Sequence, residues 1–196
     1  MIKKSAFFVL LAALIATSAY AVPSRVGKWD AGVNVSGFIP EEGDTTAYVG
    51  GSASYGVNEW LGLGVSSGWA QFDDSDAGVT VEQTSVPLFG DIILRVPMQQ
   101  DQQYQPYAVI GLGVMFSDSD VNVSNVDVSV DDAFAAKFGG GVDWFVNDNW
   151  ILNFEFSYIT SDADGTVRNT ATGATVGVSG SNDSWMVGGG LKYLFS

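Results

Sequence analysis

Seven charged residues stand out in this 196-residue chain because they occupy alternate positions within otherwise apolar segments. Four are acids and three are bases, namely Asp30, Asp91, Asp143 and Glu155, and Arg95, Lys137 and Lys192. Two carboxylates placed together can perform general acid–base catalysis, whereas acids that face bases form ion pairs. The elements that carry these residues decide between the two chemistries.

The chain contains neither histidine nor cysteine. It therefore lacks the commonest general base and metal ligand, and it has no thiol for catalysis or zinc binding. A formal net charge of −14 also argues against a nucleic-acid partner, which requires a basic face. We expect a protein that is not an enzyme and holds neither a cofactor nor a metal. The alternative is an enzyme that uses a carboxylate pair such as Asp91 and Asp143, although a substrate would have no path to these residues.

Apolar and polar residues alternate with a period of two along much of the chain, which is typical of β-strands. The alternation is clearest at Trp150, Leu152, Phe154, Phe156 and Tyr158, which are interleaved with Asn153, Glu155 and Ser157. Eight such segments occur, near residues 29–36, 48–57, 60–70, 85–96, 106–116, 134–145, 150–158 and 187–195. The pattern predicts eight strands. Pro87 lies within the fourth segment and lacks a backbone N–H, so we expect a β-bulge there.

The connections between these segments differ in length. Short polar turns at 57–60 and 146–150 contrast with long or acidic connections at 40–46, 72–78, 117–132 and 160–183. The long connections carry 14 Asp and Glu residues against the single Arg168. Short turns at one end and long loops at the other predict an antiparallel up-and-down barrel.

The size of the apolar side chains indicates which face of the barrel they occupy. Twelve aromatic rings fall on the apolar face, whereas the polar face is rich in Gly and Ser. An eight-stranded barrel has an interior only just wide enough to be filled by side chains, so these rings would overfill it. They must therefore lie outside, against lipid. The seven charged residues then point into the lumen, where unpaired charges are costly. We expect them to form a structural ion-pair network, with gating of a narrow conduit as the alternative.

The first residues have the pattern of an export signal. Lys3 and Lys4 precede an apolar run from Ala6 to Ala16, and the small residues Ala19 and Ala21 mark a cleavage site. We predict a signal peptide over residues 1–21 and a single barrel domain over 22–196.

The last residues resemble a known assembly signal. Gly190, Tyr193 and Phe195 match the C-terminal pattern Gly-x-x-aromatic-x-aromatic of outer-membrane barrels, although Ser196 follows the final aromatic residue. The segments "PYAVIGLGV" and "AAKFGGGVDWFV" also resemble the outer-membrane β-barrel domain family that groups the OmpA, OmpX and OmpW barrels. The resemblance implies an eight-stranded transmembrane barrel in the outer membrane of a Gram-negative bacterium. It also implies contact with lipid and lipopolysaccharide, and with periplasmic chaperones and the barrel-assembly machinery during biogenesis.

Two functions are consistent with these features. The first is a non-enzymatic surface protein whose acidic loops serve adhesion or envelope integrity. Binding of an extracellular ligand by these loops is consistent with this function, and the sequence does not identify the ligand. The second, implied by the resemblance to the OmpW type, is a porin-like narrow channel for small or hydrophobic solutes.

Overall fold

The computed structural model describes residues 23–40, 45–76, 79–97, 103–121, 126–130, 132–169, 172–181 and 183–195. The predicted signal peptide and Ser196 lie outside these residues. Within the described ranges the chain forms ten β-strands. They are β1 (Trp29–Pro40), β2 (Thr46–Gly56), β3 (Leu61–Asp76), β4 (Val79–Arg95), β5 (Tyr104–Val121), β6 (Val126–Val130), β7 (Ala133–Phe145), β8 (Trp150–Asn169), β9 (Thr175–Ser181) and β10 (Ser184–Leu194).

Eight of these strands close into an antiparallel barrel in the order β1-β2-β3-β4-β5-β7-β8-β10. The last strand returns to the first, pairing from Asp30 opposite Leu194 to Pro40 opposite Ser184. Closure leaves no unpaired edge between the first and last strands, and this is what permits a sheet to cross a membrane. The predicted all-β, eight-stranded barrel is confirmed.

The two faces of the barrel strands have the predicted polarity. Large apolar side chains such as Val33, Trp69 and Phe134 are exposed on the exterior, while charged residues such as Asp30 and Lys137 are buried in the lumen. An exterior of this kind is suited to lipid. In the described part of the chain, no helix is long and apolar enough to cross a membrane.

Several strands run further than the sequence pattern predicted. β8 has 20 residues, about twice the length needed to cross a bilayer as a tilted strand. Beyond the barrel it pairs with β6 on one side and β9 on the other. Both short strands fall in the connections 117–132 and 160–183, where we expected loops. Alternating Val residues, as in "VDVSV" and "TVGVSGS", explain why these polar segments form strands.

The bulge expected at Pro87 is absent from the described strands, and that prediction was wrong. Ser67 pairs with Leu88 and Ala70 pairs with Ser85, so the register of β3 on β4 is the same on both sides of the proline. The ladder is instead interrupted where Gly68 and Trp69 lie opposite Pro87 and Val86. A proline without a backbone N–H removes a ladder hydrogen bond, and here the loss leaves a local gap in pairing without shifting the strands.

The two short turns share one local design. In the first, the side-chain Oδ1 of Asn58 accepts hydrogen bonds from the backbone N–H groups of Trp60 and Leu61, at 2.9 and 2.8 Å. In the second, Asn147 accepts equivalent bonds from Asn149 and Trp150, at 3.0 and 2.9 Å. Asn is favoured in turns because its side chain can take over backbone hydrogen bonds in this way. These turns fix the hairpins at the end of the barrel where β1 begins and β10 ends.

Candidate functional site

The interior of the barrel is the candidate site, and its side chains form three layers. A charged layer occupies the middle. An apolar cluster of Phe145, Ile151 and Leu194 lies beside it at the end of the barrel with the short turns. A larger apolar cluster that includes Phe38, Phe89, Met115 and Met186 fills the other half. The lumen is therefore packed with side chains along its length.

Asp143 is the centre of the charged layer. It is 1% exposed, and its Oδ2 lies 2.7 Å from Nη2 of Arg25. Its Oδ1 lies 3.1 Å from Nζ of Lys192 and accepts a 2.8 Å hydrogen bond from Nδ2 of Asn153. Two hydrogen-bond donors, Lys192 and Asn153, and the positive charge of Arg25 compensate for the loss of its hydration on burial. The Arg25 nitrogens themselves make no hydrogen bond to the described residues.

Asp30 and Arg95 meet beside this cluster through Ser54. The Ser54 hydroxyl donates to Oδ2 of Asp30 at 2.8 Å and accepts from Nη2 of Arg95 at 2.9 Å. The two charged groups are 3.6 Å apart, and Nη1 of Arg25 approaches the same Asp30 oxygen at 3.7 Å. The hydroxyl thus bridges the two ions, while Nε and Nη1 of Arg95 make no hydrogen bond to the described residues.

A separate ion pair joins Asp91 on β4 to Lys137 on β7. Nζ of Lys137 lies 2.9 Å from Oδ1 of Asp91 and also donates to the Ser66 hydroxyl at 2.9 Å. The ammonium group also stands 5.3 Å from the centre of the Phe89 ring. Lys137 thus touches the charged layer and the larger apolar cluster at their boundary.

Glu155 differs from the other predicted acids in having a neutral partner. Its Oε2 accepts a 2.7 Å hydrogen bond from the Tyr107 hydroxyl, which in turn accepts one from Nδ2 of Asn153 at 2.8 Å. Asn153 also bonds Asp143, so a continuous chain of side chains links Glu155 to the Asp143 cluster. Five of the seven predicted lumen residues are therefore connected, through Arg25, Ser54, Tyr107 and Asn153, whereas Asp91 and Lys137 form a pair of their own. Sequence reasoning did not single out the connecting residues.

Arg25 is the charged residue that sequence reasoning missed. It precedes β1 and folds into the lumen, where it is 5% exposed and its guanidinium lies 5.0 Å from the centre of the Phe145 ring. Four acids against three bases left one charge unbalanced in the predicted network. Among the described residues, Arg25 supplies the fourth base.

A cavity of about 60 Å³ remains inside the charged layer, lined in part by Asn34, Ser66 and Glu155. A cavity of this size has room for a few water molecules, which need about 10–15 Å³ each on this measure.

Comparison with known proteins places the fold in a family. A family model of the outer membrane protein beta-barrel domain matches residues 7–179. The chain belongs to this family. Its barrel is therefore located in the outer membrane and surrounded by lipid, as the sequence resemblance implied.

Solved structures of outer-membrane barrels are similar to the chain along most of its length. OprG from Pseudomonas aeruginosa aligns with a TM-score of 0.72 and 14% identity, over 88% of this chain and 98% of that one. AlkL in lipid bilayers aligns with a TM-score of 0.67 and 18% identity, over 92% of this chain and 95% of that one. Outer membrane protein W of E. coli aligns with a TM-score of 0.57 and 18% identity, over 87% of this chain and 99% of that one. At these identities the likeness concerns the fold. No curated protein sequence matches significantly.

Members of the outer membrane protein beta-barrel family have short periplasmic turns and girdles of aromatic residues at both interfaces. The end with the short turns is therefore periplasmic. There Trp29 contacts Tyr55, with ring centres 5.2 Å apart, and Tyr193 contacts Trp150 at 5.0 Å and Phe195 at 5.1 Å. At the extracellular end, Trp185 stands 5.0 Å from Phe156 and 4.6 Å from Tyr158. The rings mark the two membrane interfaces.

The extracellular rim also holds an ordered carboxylate. Asp183 lies just before β10, and the Tyr158 hydroxyl donates to its Oδ2 at 2.7 Å. Hydrogen bonds from Thr160 and Tyr158 lower the pKa of the Asp183 carboxyl below its usual value. They hold the carboxylate against the middle of β8, where that strand leaves the barrel.

Of the predicted assembly signal, Gly190 and Tyr193 lie on the closing strand and Phe195 directly follows it. Gly190 pairs with Asn34 of β1, and an added Cβ there would overlap the backbone oxygen of Val33. The backbone N–H of Phe195 donates to the Trp29 oxygen at 2.8 Å, and Asn149 of the second turn bonds Leu194 through both its backbone and its side chain. The signal residues thus form part of the seam at which the barrel closes.

Proposed function

We propose that this protein is a non-enzymatic outer-membrane scaffold that presents acidic β-projections at the cell surface, in a role in adhesion or envelope integrity. The packed lumen carries the proposal. Two apolar clusters enclose a layer of buried ion pairs, and the cavity between them is about 60 Å³. A barrel filled in this way is suited to support rather than transport. The extended β3–β4 and β8–β9 hairpins carry acidic sequences such as "FDDSD" beyond the barrel.

The chemistry of the acidic projections suggests the partners of the proposed scaffold. Carboxylates at the extracellular end can bind divalent cations, which bridge to the phosphates of lipopolysaccharide. The C-terminal strand is the proposed contact for the barrel-assembly machinery after chaperone-assisted transit of the periplasm. These contacts rest on the family resemblance and on the acidic composition of the projections.

Purified protein in a planar bilayer should show no steady unit conductance. The physical reason is that ions would have to displace the Asp91–Lys137 pair and then cross the apolar cluster around Phe89. Replacing Lys137 with methionine should therefore lower stability without creating a current. Reproducible unit conductance of the wild-type protein, altered in size by Arg95 or Lys137 substitutions, would favour a channel and refute the scaffold.

The interrupted ladder beside Pro87 supports a second candidate, a narrow pathway for small or hydrophobic solutes through the barrel wall. On the lumen side the Tyr48 ring covers Gly68, because an added Cβ at Gly68 would overlap that ring. The larger apolar cluster, to which Tyr48 belongs, lies directly behind the gap. An apolar solute could reach lipid here without crossing the charged layer.

The variant Pro87→Val tests this second candidate by restoring a backbone N–H at the gap. If solutes leave through the wall, uptake of an apolar fluorescent probe into vesicles should fall in Pro87→Val relative to wild type. Leu88→Val, at a neighbouring outward-facing position, serves as the control for a change of side chain on β4. Uptake equal to that of protein-free vesicles would eliminate the pathway.

A further inference from the structure

We propose that residues 23–28 form a displaceable plug of the periplasmic mouth, in which Arg25 occupies a guanidinium-binding socket built by Asp30, Asp143 and Phe145. We call residues 23–28 the N-terminal arm. The inference goes beyond the proposed scaffold function, because it assigns a binding site and a moving part to the same barrel.

The socket has the chemistry of a guanidinium site. Nη2 of Arg25 lies 2.7 Å from Oδ2 of Asp143, and Nη1 lies 3.7 Å from Oδ2 of Asp30. The Phe145 ring stands 5.0 Å from the guanidinium carbon, within the range of cation–π attraction. Two carboxylates and an aromatic face suit a planar delocalised cation better than a compact ammonium ion.

The arm reaches the socket without being a barrel strand. It contacts the wall through an isolated bridge between Val26 and Gly56. Gly27 donates a backbone hydrogen bond to Gly56 at 2.8 Å, and Gly56 donates one to Lys28 at 3.0 Å. The backbone N–H of Lys28 donates to the backbone oxygen of Arg25 at 3.0 Å and so closes a turn, in which Gly27 has a φ of 75°. This turn directs the Arg25 side chain inward. β1 and β10, by contrast, pair from Asp30 to Pro40. The arm can leave while the barrel stays closed.

The acids of the socket keep other partners when the arm leaves. Asp143 retains Lys192 and Asn153, and Asp30 retains Arg95 and Ser54. Displacement thus removes one positive charge from the mouth and leaves a negatively charged recess. That recess is the predicted binding site for a small guanidinium cation.

Gly56 provides a way to displace the arm without changing any charge. The arm passes so close that a Cβ added to Gly56 would overlap the backbone oxygen of Arg25. The opposing atoms are backbone, so they cannot turn aside as a flexible side chain would. Gly56→Ala should therefore move the arm outward. At Gly37, also on a barrel strand, the nearest atom to an added Cβ is 3.9 Å away, which makes Gly37→Ala the matched control.

Trypsin cleavage after Arg25 measures arm displacement in the folded, detergent-solubilised barrel. Burial protects this bond in the wild type, and cleavage of a transiently open form follows its population, so the rate should rise at least about tenfold in Gly56→Ala. Gly37→Ala should be cleaved at the wild-type rate. Cleavage of Gly56→Ala no faster than Gly37→Ala would overturn the plug.

Chemical rescue tests the socket itself and does not require Gly56→Ala to fold. Arg25→Ala should unfold at a lower temperature than wild type, and millimolar guanidinium chloride should raise its midpoint while an equal concentration of sodium chloride does not. Lys28→Ala removes the same charge from the same arm outside the socket and should show no rescue. Equal effects of the two salts on Arg25→Ala, or equal rescue of both variants, would overturn the socket. Neither readout measures conductance, so a conducting wild type would refute the scaffold function and leave this inference standing.

Discussion

Replacing Asp143 with asparagine should lower the free energy of unfolding by about 3–5 kcal/mol, the cost of removing one partner from a buried ion pair. The substitution keeps the shape of the side chain but removes the charge that faces Arg25 at 2.7 Å and Lys192 at 3.1 Å. Arg25 and Lys192 would then lose their nearest carboxylate, and the new amide N–H₂ would face donors where Asp143 accepts hydrogen bonds. Urea unfolding of the protein in lipid vesicles, followed by tryptophan fluorescence, measures the effect.

Asp148 supplies the control for this prediction. It is an acid five residues later in the same sequence region, but it lies exposed in the turn between β7 and β8. Asp148→Asn changes the net charge identically, and a surface substitution of this kind is expected to change stability by less than about 0.5 kcal/mol. Equal unfolding free energies for the two variants would show that the lumen network contributes nothing to stability.

The lumen residues could be predicted from the sequence because strand alternation assigns each residue to a face. Once the aromatic residues are placed outside, Asp91, Lys137 and Asp143 must point inward, and the structure places them there. The partners of each charge could not be predicted, because contacts across a barrel depend on register and stagger between strands far apart in sequence. Lys137 contacts Asp91, which is 46 residues away in the sequence, and Tyr107 contacts Glu155, which is 48 residues away.

Arg25 escaped prediction for a different reason. It precedes the first alternating segment, and the alternation rule says nothing about residues outside a strand. The imbalance of four lumen acids against three bases was the signal available, since a dry interior favours neutrality. The nearby Gly27 was a second signal, because a glycine can adopt the positive φ of a tight turn that other residues rarely adopt.

The extracellular projections show the limits of composition as a guide. Residues 160–183 are rich in Gly, Thr and Ser, which favours a loop, yet β8 continues to Asn169 and β9 follows. Val and Thr at alternate positions stabilise these strands once the barrel has aligned the hairpin. Tertiary context therefore outweighs local composition.

Replacing Phe195 with alanine should strongly impair insertion into the outer membrane of living cells while leaving the finished barrel stable. The expectation rests on the resemblance of Gly190, Tyr193 and Phe195 to a C-terminal assembly signal, in which the final aromatic ring is recognised during insertion. In the folded barrel the Phe195 ring is 48% exposed, and its backbone N–H makes the bond to Trp29, which alanine keeps. Its loss should therefore cost little once folding is complete. Heat-dependent gel mobility of outer-membrane fractions measures the folded amount.

The variant Phe134→Ala is the control that distinguishes a defect in assembly from a loss of stability. Phe134 is another outward-facing phenylalanine; it is 67% exposed and lies away from the closing seam. Both variants should refold into vesicles of purified lipid to the same extent, since each loses one ring from the exterior. In cells, Phe134→Ala should reach the outer membrane at the wild-type level and Phe195→Ala should not. Normal insertion of Phe195→Ala in cells would mean that the C-terminal ring is an ordinary lipid contact and that recognition of this barrel depends on other residues.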